Sequence, residues 1–245
     1  MFNIKTLNKI STIGLSQFDD KYTCADEIEN PDAILVRSAS MHDMDLPESL
    51  LAIARAGAGV NNIPLYKCAE KGIVVFNTPG ANANAVKELA ICGLLMASRK
   101  VPEAINWAQT LKGNGDEVGK MVEKGKSNFG GCEIMGKTLG LIGLGAIGGK
   151  LANIAISLGM NVIGYDPFLS VGAALSLKPQ VKVTANVADI YANADYISLH
   201  LPYNAETKNT INKETIAQCK DGVKLLNFAG SVYQNNKFFQ FHNLD

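Results

Sequence analysis

Gly143, Gly145 and Gly148 stand between the apolar run Leu139-Gly140-Leu141-Ile142 and a helix-length segment that closes at Gly159. No other feature restricts the chain's fold as strongly. A short apolar run of this kind is the pattern of a parallel strand buried on both faces. A helix opening at its carboxyl end presents free backbone N–H groups and the positive end of its dipole to an anion. The spacing assigns each glycine a steric duty: Gly143 for the tight turn, Gly145 for backbone approach to a pyrophosphate, Gly148 for close packing of helix on strand. A second strand, 161–165, ends at Gly164-Tyr165-Asp166-Pro167, with an acid about 20 residues past the glycines, where a carboxylate meets ribose hydroxyls. No Arg or Lys follows Asp166 directly to neutralise a 2′-phosphate, so the expected cofactor is NAD and not NADP. A glycine-rich loop of an ordinary α/β protein is the plainer reading, but it does not explain why strand, turn, helix and acid coincide.

The chain has 245 residues, 47% hydrophobic and 19% charged, enough for a sizeable core and for two domains. Its formal charge is zero, which gives no overall electrostatic case for nucleic acid or an anionic membrane. The five cysteines are scattered without metal-ligand or redox-pair spacing, which predicts reduced, buried thiols in a cytoplasmic protein and no metal site. The N-terminus lacks a signal-peptide core, and the longest apolar run, 89–97, is far short of a membrane span. Arginine occurs only at Arg37, Arg55 and Arg99. Arg37 ends the apolar strand Ala33-Ile34-Leu35-Val36, and Arg55 precedes the turn Ala56-Gly57-Ala58-Gly59-Val60-Asn61-Asn62. In a parallel sheet both would face a cleft at the strands' carboxyl ends, although either could equally be a surface arginine at a loop start. Arg99 reads as a partner for a helix C-terminus.

The first 83 residues predict a small α/β domain with strands at 32–36, 50–54 and 73–76. Asn84 is placed to cap a long helix that bridges to residues 136–229, and the glycines from Gly113 to Gly131 predict mobile loop with at most short helices. From Gly136 the pattern is doubly wound, with strands at 138–142, 161–165, 181–183, 195–199 and 223–228 and a helix over 147–158.

Six motifs in order carry a resemblance to a known family. They are Arg55-Ala56-Gly57-Ala58-Gly59-Val60-Asn61-Asn62-Ile63, Asn77-Thr78-Pro79-Gly80, the Gly143 fingerprint, Gly164-Tyr165-Asp166-Pro167, Ser198-Leu199-His200-Leu201-Pro202, and Leu225-Leu226-Asn227-Phe228-Ala229, with Val36-Arg37-Ser38-Ala39 ahead of them. In this order they resemble the D-isomer-specific 2-hydroxyacid dehydrogenases, especially the shorter D-3-phosphoglycerate dehydrogenases. The resemblance implies two domains, a flavodoxin-like N-terminal one (1–83) and a Rossmann NAD-binding one (136–229), joined by a bridging helix and loop (84–135). It also implies oxidation of D-3-phosphoglycerate to 3-phosphohydroxypyruvate for serine biosynthesis, in a homodimer. By the same resemblance, Arg37, Ser38, Arg55, Gly57 and Asn82 would bind the anionic 2-hydroxy acid. Gly143, Gly145, Ala146, Ile147, Gly148, Asp166, His200, Leu201, Pro202, Phe228 and Ala229 would bind NAD. Residues 78–84 either line the cleft near the nicotinamide or are ordinary turn chemistry.

The resemblance stops at Ala229. Family members continue with Arg-Gly, the arginine being catalytic; here position 230 is Gly, and residues 230–245 match no further motif. The orienting acid and the acid–base histidine that the resemblance implies have no counterpart. His42 reads as a surface residue, His200 as part of the cofactor side, and His242 lies in the unmatched tail. The expectation is therefore a truncated, inactive copy of the enzyme with no catalytic residue of its own and a Rossmann sheet lacking its last strand. Strand 223–228 would then be an exposed edge prone to aggregation. The alternative is a non-catalytic NAD-binding regulator or corepressor on the same fold.

Overall fold

The computed structural model describes residues 1–202 and 206–229, which fall into two compact units, one of Met1–Asn82 and one beginning at Ala83. The tail 230–245, with His242, lies outside the described residues.

The first unit is a parallel sheet of β1 (Phe2–Leu7), β2 (Tyr22–Ala25), β3 (Ala33–Val36), β4 (Ala52–Arg55) and β5 (Val74–Phe76), in the order β2-β1-β3-β4-β5. That is the flavodoxin-like order. Ile34, Val36 and Ile53 are fully buried and pack with Met41, Ile63 and Cys68, the last on the short helix α2 (Leu65–Glu70); a further turn of helix, α1 (Thr12–Leu15), lies between β1 and β2. In the β3–β4 register Val36 faces Arg55, so both arginines of interest stand at the carboxyl end of neighbouring strands.

The second unit is a parallel sheet of β6 (Thr138–Ile142), β7 (Asn161–Tyr165), β8 (Lys182–Thr184), β9 (Tyr196–Leu199) and β10 (Lys224–Asn227), ordered β10-β9-β6-β7-β8. Counted from β6, this is the 3-2-1-4-5 arrangement of a Rossmann sheet, with the switch point between β6 and β9. Its helices are α3 (Ala83–Ser98), α4 (Val101–Thr110), α5 (Val118–Gly125), α6 (Gly148–Ser157), α7 (Val171–Leu175), α8 (Ala188–Asn193) and α9 (Lys213–Ile216). Alternate residues of β6 feed opposite layers. Leu139 and Leu141 pack with Leu94 of α3 and Leu151 of α6, whereas Ile142 packs with Ile190 and Tyr191 of α8. Gly140 lies between them in sequence because α8 crosses so closely that a Cβ there would sit 2.4 Å from Ile190 Cγ2.

Several sequence expectations need correction. β1 and β2 escape a search for apolar runs, because polar residues alternate along Phe2–Leu7 and only Ile4 and Thr6 are buried. Asn84 does not cap α3; it lies inside the helix, its Oδ1 accepting from Lys87 Nζ (2.6 Å) and its Nδ2 donating to Glu88 Oε1 (2.7 Å). The stretch expected to be loop with at most short helices holds the eight-residue helix α5, whose last residue is Gly125, where the Trp107 ring occupies the space a Cβ would need. Trp107 in turn packs on Phe129 with ring centroids 5.0 Å apart. All five cysteines are free, but only Cys68 is buried and Cys92 is exposed. β10 is an edge strand among the described residues, yet its apolar faces are covered: Leu226 and Phe228 lie against α3 at Gly93, and Leu225 joins Ile211 and Cys219 on the other face. Among the described residues, what stays open is its hydrogen-bonding edge, not an apolar surface.

Candidate functional site

β6 ends at Ile142 and the chain turns sharply at Gly143, whose φ of +98° strains any residue but glycine. A Cβ on Gly143 would stand 2.5 Å from the His200 carbonyl oxygen, and one on Gly148 would stand 2.0 Å from the Gly143 carbonyl oxygen. Both glycines are therefore demanded by the protein's own backbone. Gly145 differs: it is exposed, and a Cβ there meets nothing within 4 Å. The protein gives no internal reason for a glycine at that position. The amide N–H groups of Gly145, Ala146 and Ile147 have no hydrogen-bond acceptor among the described residues, and they open the ten-residue helix α6. Open space over Gly145, unclaimed N–H donors and a helix N-terminus together fit a pyrophosphate.

Asp166 follows β7 and is tied to the same turn. Its Oδ2 accepts from the Leu144 N–H (2.9 Å) and its Oδ1 from the Phe168 N–H (2.9 Å). Two backbone donors fix the carboxylate, and each oxygen keeps lone-pair capacity for a diol. Leu144, buried between the glycines, plugs the turn from beneath, and Gly164 on β7 has no side chain because Leu144 fills its place. On the other flank, the His200 N–H donates to Ile142 O (2.8 Å) and its Nε2 pairs with Ser198 Oγ (2.9 Å). Burial pushes the His200 pKa down to about 4, so the ring is neutral at physiological pH. Leu201 packs beside Gly143, and Pro202 is exposed, its carbonyl accepting from Thr207 Oγ1. Phe228 turns its ring to Gly93 of α3, and the Ala229 N–H donates to Asn227 Oδ1 (3.0 Å). Gly143, Gly145, Ala146, Ile147, Gly148, Asp166 and His200 are thus gathered at the β6–β9 switch point, while the Phe228 ring serves core packing.

In the first unit Arg55 folds over the turn that follows it: its Nε donates to Arg37 O (3.0 Å) and its Nη1 to Gly59 O. Asn77 Nδ2 donates to Ala58 O (2.7 Å) and the Thr78 N–H to Gly57 O (3.0 Å), so the Asn77-Thr78 pair latches the same turn. Arg37 and Ser38 are exposed beside it, with the Ser38 and Ala39 N–H groups donating to Asn8 Oδ1 (2.9 and 2.6 Å). Asn8, at φ +67°, is the residue that sequence reasoning missed. Its signal was an Asn closing a strand, a type that tolerates the left-handed region. Asn82 is exposed at the end of this unit, and no described hydrogen bond joins it to the arginine turn. No group of three His, Cys, Asp or Glu side chains among the described residues could hold a metal ion.

Residues 91–240 match the family model for the D-isomer specific 2-hydroxyacid dehydrogenase NAD binding domain. The chain belongs to the D-isomer specific 2-hydroxyacid dehydrogenase family. The match runs past Ala229, into the segment where the motif-by-motif resemblance stops. Among curated proteins, the chain is 34% identical over 229 residues to a D-3-phosphoglycerate dehydrogenase of Methanocaldococcus jannaschii, covering 92% of this chain and 41% of that protein. It is 39% identical over 208 residues to a hydroxypyruvate reductase of Thermotoga maritima, covering 82% of this chain and 61% of the other. The chain therefore spans about two-fifths to three-fifths of the length of these relatives. Its fold is that of a D-lactate dehydrogenase from Aquifex aeolicus solved with NAD and lactic acid, with a TM-score of 0.72, 24% identity, and coverage of 96% of this chain and 71% of the other. The cofactor of this dehydrogenase family's domain is NAD, and the glycine turn, the free N–H groups and Asp166 fit it. When bound, NAD supplies the hydride acceptor.

Proposed function

We propose that this chain carries two binding halves of a D-3-phosphoglycerate dehydrogenase: an NAD site in the second unit and an anion site in the first. For NAD, the Gly145, Ala146 and Ile147 N–H groups hold the pyrophosphate, Asp166 takes the ribose hydroxyls, and Gly143, Gly148, His200, Leu201 and Pro202 shape the wall, with Phe228 and Ala229 behind it. For the substrate, Arg37 and Arg55 supply positive charge, and Ser38, Gly57 and Asn82 supply polar contacts. The observation that carries the reading is two of the chain's three arginines at the carboxyl ends of adjacent parallel strands, one tied to the backbone of the other (Arg55 Nε to Arg37 O, 3.0 Å). A strongly anionic 2-hydroxy acid needs such a pair in a protein of zero net charge. The names of the curated relatives support phosphoglycerate over lactate.

Proton transfer from the substrate hydroxyl needs a base within reach, and an oriented histidine is the family's implied choice. Among the described residues His42 bonds to Asn61 O and His200 to Ser198 Oγ, and neither pairs with a carboxylate. The reading for the described residues is therefore binding of NAD and of D-3-phosphoglycerate, with no described histidine oriented by a carboxylate. Calorimetric titration with D-3-phosphoglycerate tests the anion site: Arg37→Gln should weaken binding at least about tenfold, whereas equal binding of D-lactate would remove the case for a phosphate. NADH formation, followed by absorbance, tests turnover directly. A homodimer would pair through the helical segment 101–129, where Val101, Ile105 and Met121 are exposed. No described helix is long and apolar enough to cross a membrane.

A further inference from the structure

At the amino ends of β9 and β10, opposite the glycine turn, four polar side chains from distant parts of the sequence converge. Tyr196 is 1% exposed, and its hydroxyl lies 2.8 Å from Ser98 Oγ, 3.3 Å from Lys224 Nζ and 3.5 Å from Cys132 Sγ. Lys224 Nζ donates to Cys132 Sγ as well (3.4 Å) and stands 4.9 Å above the Tyr196 ring. The Cys132 N–H donates to Ser98 O (3.0 Å), which pins the thiol to the end of α3, yet the residue stays partly open to solvent. A half-buried thiol between an ammonium and a phenol hydroxyl is a different object from the other four cysteines, none of which has a cation donating to its sulfur among the described residues.

We propose that Cys132 is a thiolate nucleophile, held by Lys224 Nζ and Tyr196 Oη, that hydroperoxides oxidise to a sulfenic acid. The sulfur attacks the distal oxygen of the hydroperoxide. An S–O bond forms as the O–O bond breaks, sulfur is oxidised and the peroxide is reduced. The departing alkoxide or hydroxide takes a proton from the Lys224 ammonium and leaves as alcohol or water, and Lys224 regains its proton from solvent. Thiolate character and access together decide which cysteine reacts. The charge distribution agrees: hydrogen bonding from Tyr196 and Lys224, with the positive charge of Lys137 nearby, holds the Cys132 thiol below the ordinary range, whereas burial pushes Cys24, Cys68 and Cys219 up. The Asp195 carboxylate, one residue before Tyr196, faces the Thr138 N–H and Lys220 Nζ instead, and Glu133 is exposed.

The test compares the five cysteines within one folded chain. Site-resolved mass spectrometry would follow alkylation by iodoacetamide across pH 6–9, and trapping by a 1,3-dicarbonyl reagent after hydrogen peroxide treatment. At pH 7, Cys132 should alkylate at least about threefold faster than the exposed Cys92, the ratio narrowing as pH rises. It should also carry most of the trapped sulfenic acid. Lys224→Met and Tyr196→Phe should each bring Cys132 down to the Cys92 rate at pH 7, and Lys224→Arg should keep the advantage; circular dichroism of each variant checks the fold. Equal rates at Cys132 and Cys92 in the unmodified chain would overturn the proposal without any variant. So would an advantage that survives Lys224→Met and shows no pH dependence, because exposure alone would then explain it.

Discussion

Exchanging the glycines one at a time separates those required by the fold from the one kept for a ligand. Gly143→Ala places a methyl at φ +98°, 2.5 Å from the His200 carbonyl oxygen. The left-handed backbone costs roughly 1–2 kcal/mol and the forced displacement of β9's end about 1–3 kcal/mol more, so the variant should lose about 2–5 kcal/mol. For a unit of this size that is a fall of roughly 4–20 °C in Tm. Gly145→Val should behave in the opposite way. Its Cβ meets no protein atom within 4 Å and its φ is not positive, so stability should change by less than about 1 kcal/mol. The added side chain fills the space over the α6 N–H groups, and NAD affinity should fall at least about tenfold, or ~1.4 kcal/mol. Thermal melts read the first quantity and calorimetric titration with NAD the second. A Gly145→Val chain that melts like Gly143→Ala, or that binds NAD as the unmodified chain does, would refute the reasoning.

Three further outcomes are expected. The His200 pKa, lowered by burial to about 4 against an ordinary 6.5, means that the unfolded chain binds the extra proton first as pH falls. This contribution is complete above pH 6.5 and is lost as pH drops toward 4, about 2 kcal/mol of it between pH 7 and pH 5; urea melts should show that His200→Gln has a shallower pH dependence over this window. Asp166→Ala should remove the carboxylate that repels a 2′-phosphate, so that the NAD-to-NADP affinity ratio falls by at least about tenfold, measured by parallel titrations. Gly140→Ala should cost about 1–3 kcal/mol in chemical denaturation, because its Cβ would press on Ile190 and Ala194 in a packed layer.

The parts of this fold that were legible in the sequence are those whose cause is local. β6 is buried on both faces and β7 on one, with Ile163 and Tyr165 half-buried on its other, so 139–142 and 162–165 appear as apolar runs, and the Gly143, Gly145, Gly148 spacing reflects a turn built within a few residues. β1 was hidden because Asn3 and Lys5 interrupt it; the groups that receive the Asn3 backbone N–H and Lys5 Nζ, the Asp32 carboxylate and the Ile28 carbonyl, come from another part of the chain. Asn84 looked like a cap because a single residue type is a weak guide to a helix start when Lys87 and Glu88 compete for its side chain. The role of Phe228 could not be read from its motif, since the space it fills is made by Gly93 far earlier in the sequence. Arg55 was legible as a candidate anion binder, but not the use of its Nε and Nη1 on Arg37 and Gly59. The Cys132, Tyr196 and Lys224 cluster left no trace in any local pattern because parallel strands assemble it from distant segments.

The most direct test of the central claim is calorimetric titration of the chain with NAD and, in parallel, NADP. One NAD bound per chain, with NADP at least about tenfold weaker, is the outcome that the free N–H groups over Gly145 and the fixed carboxylate of Asp166 require. Absence of NAD binding by a folded sample, or equal affinity for the two nucleotides, would contradict it.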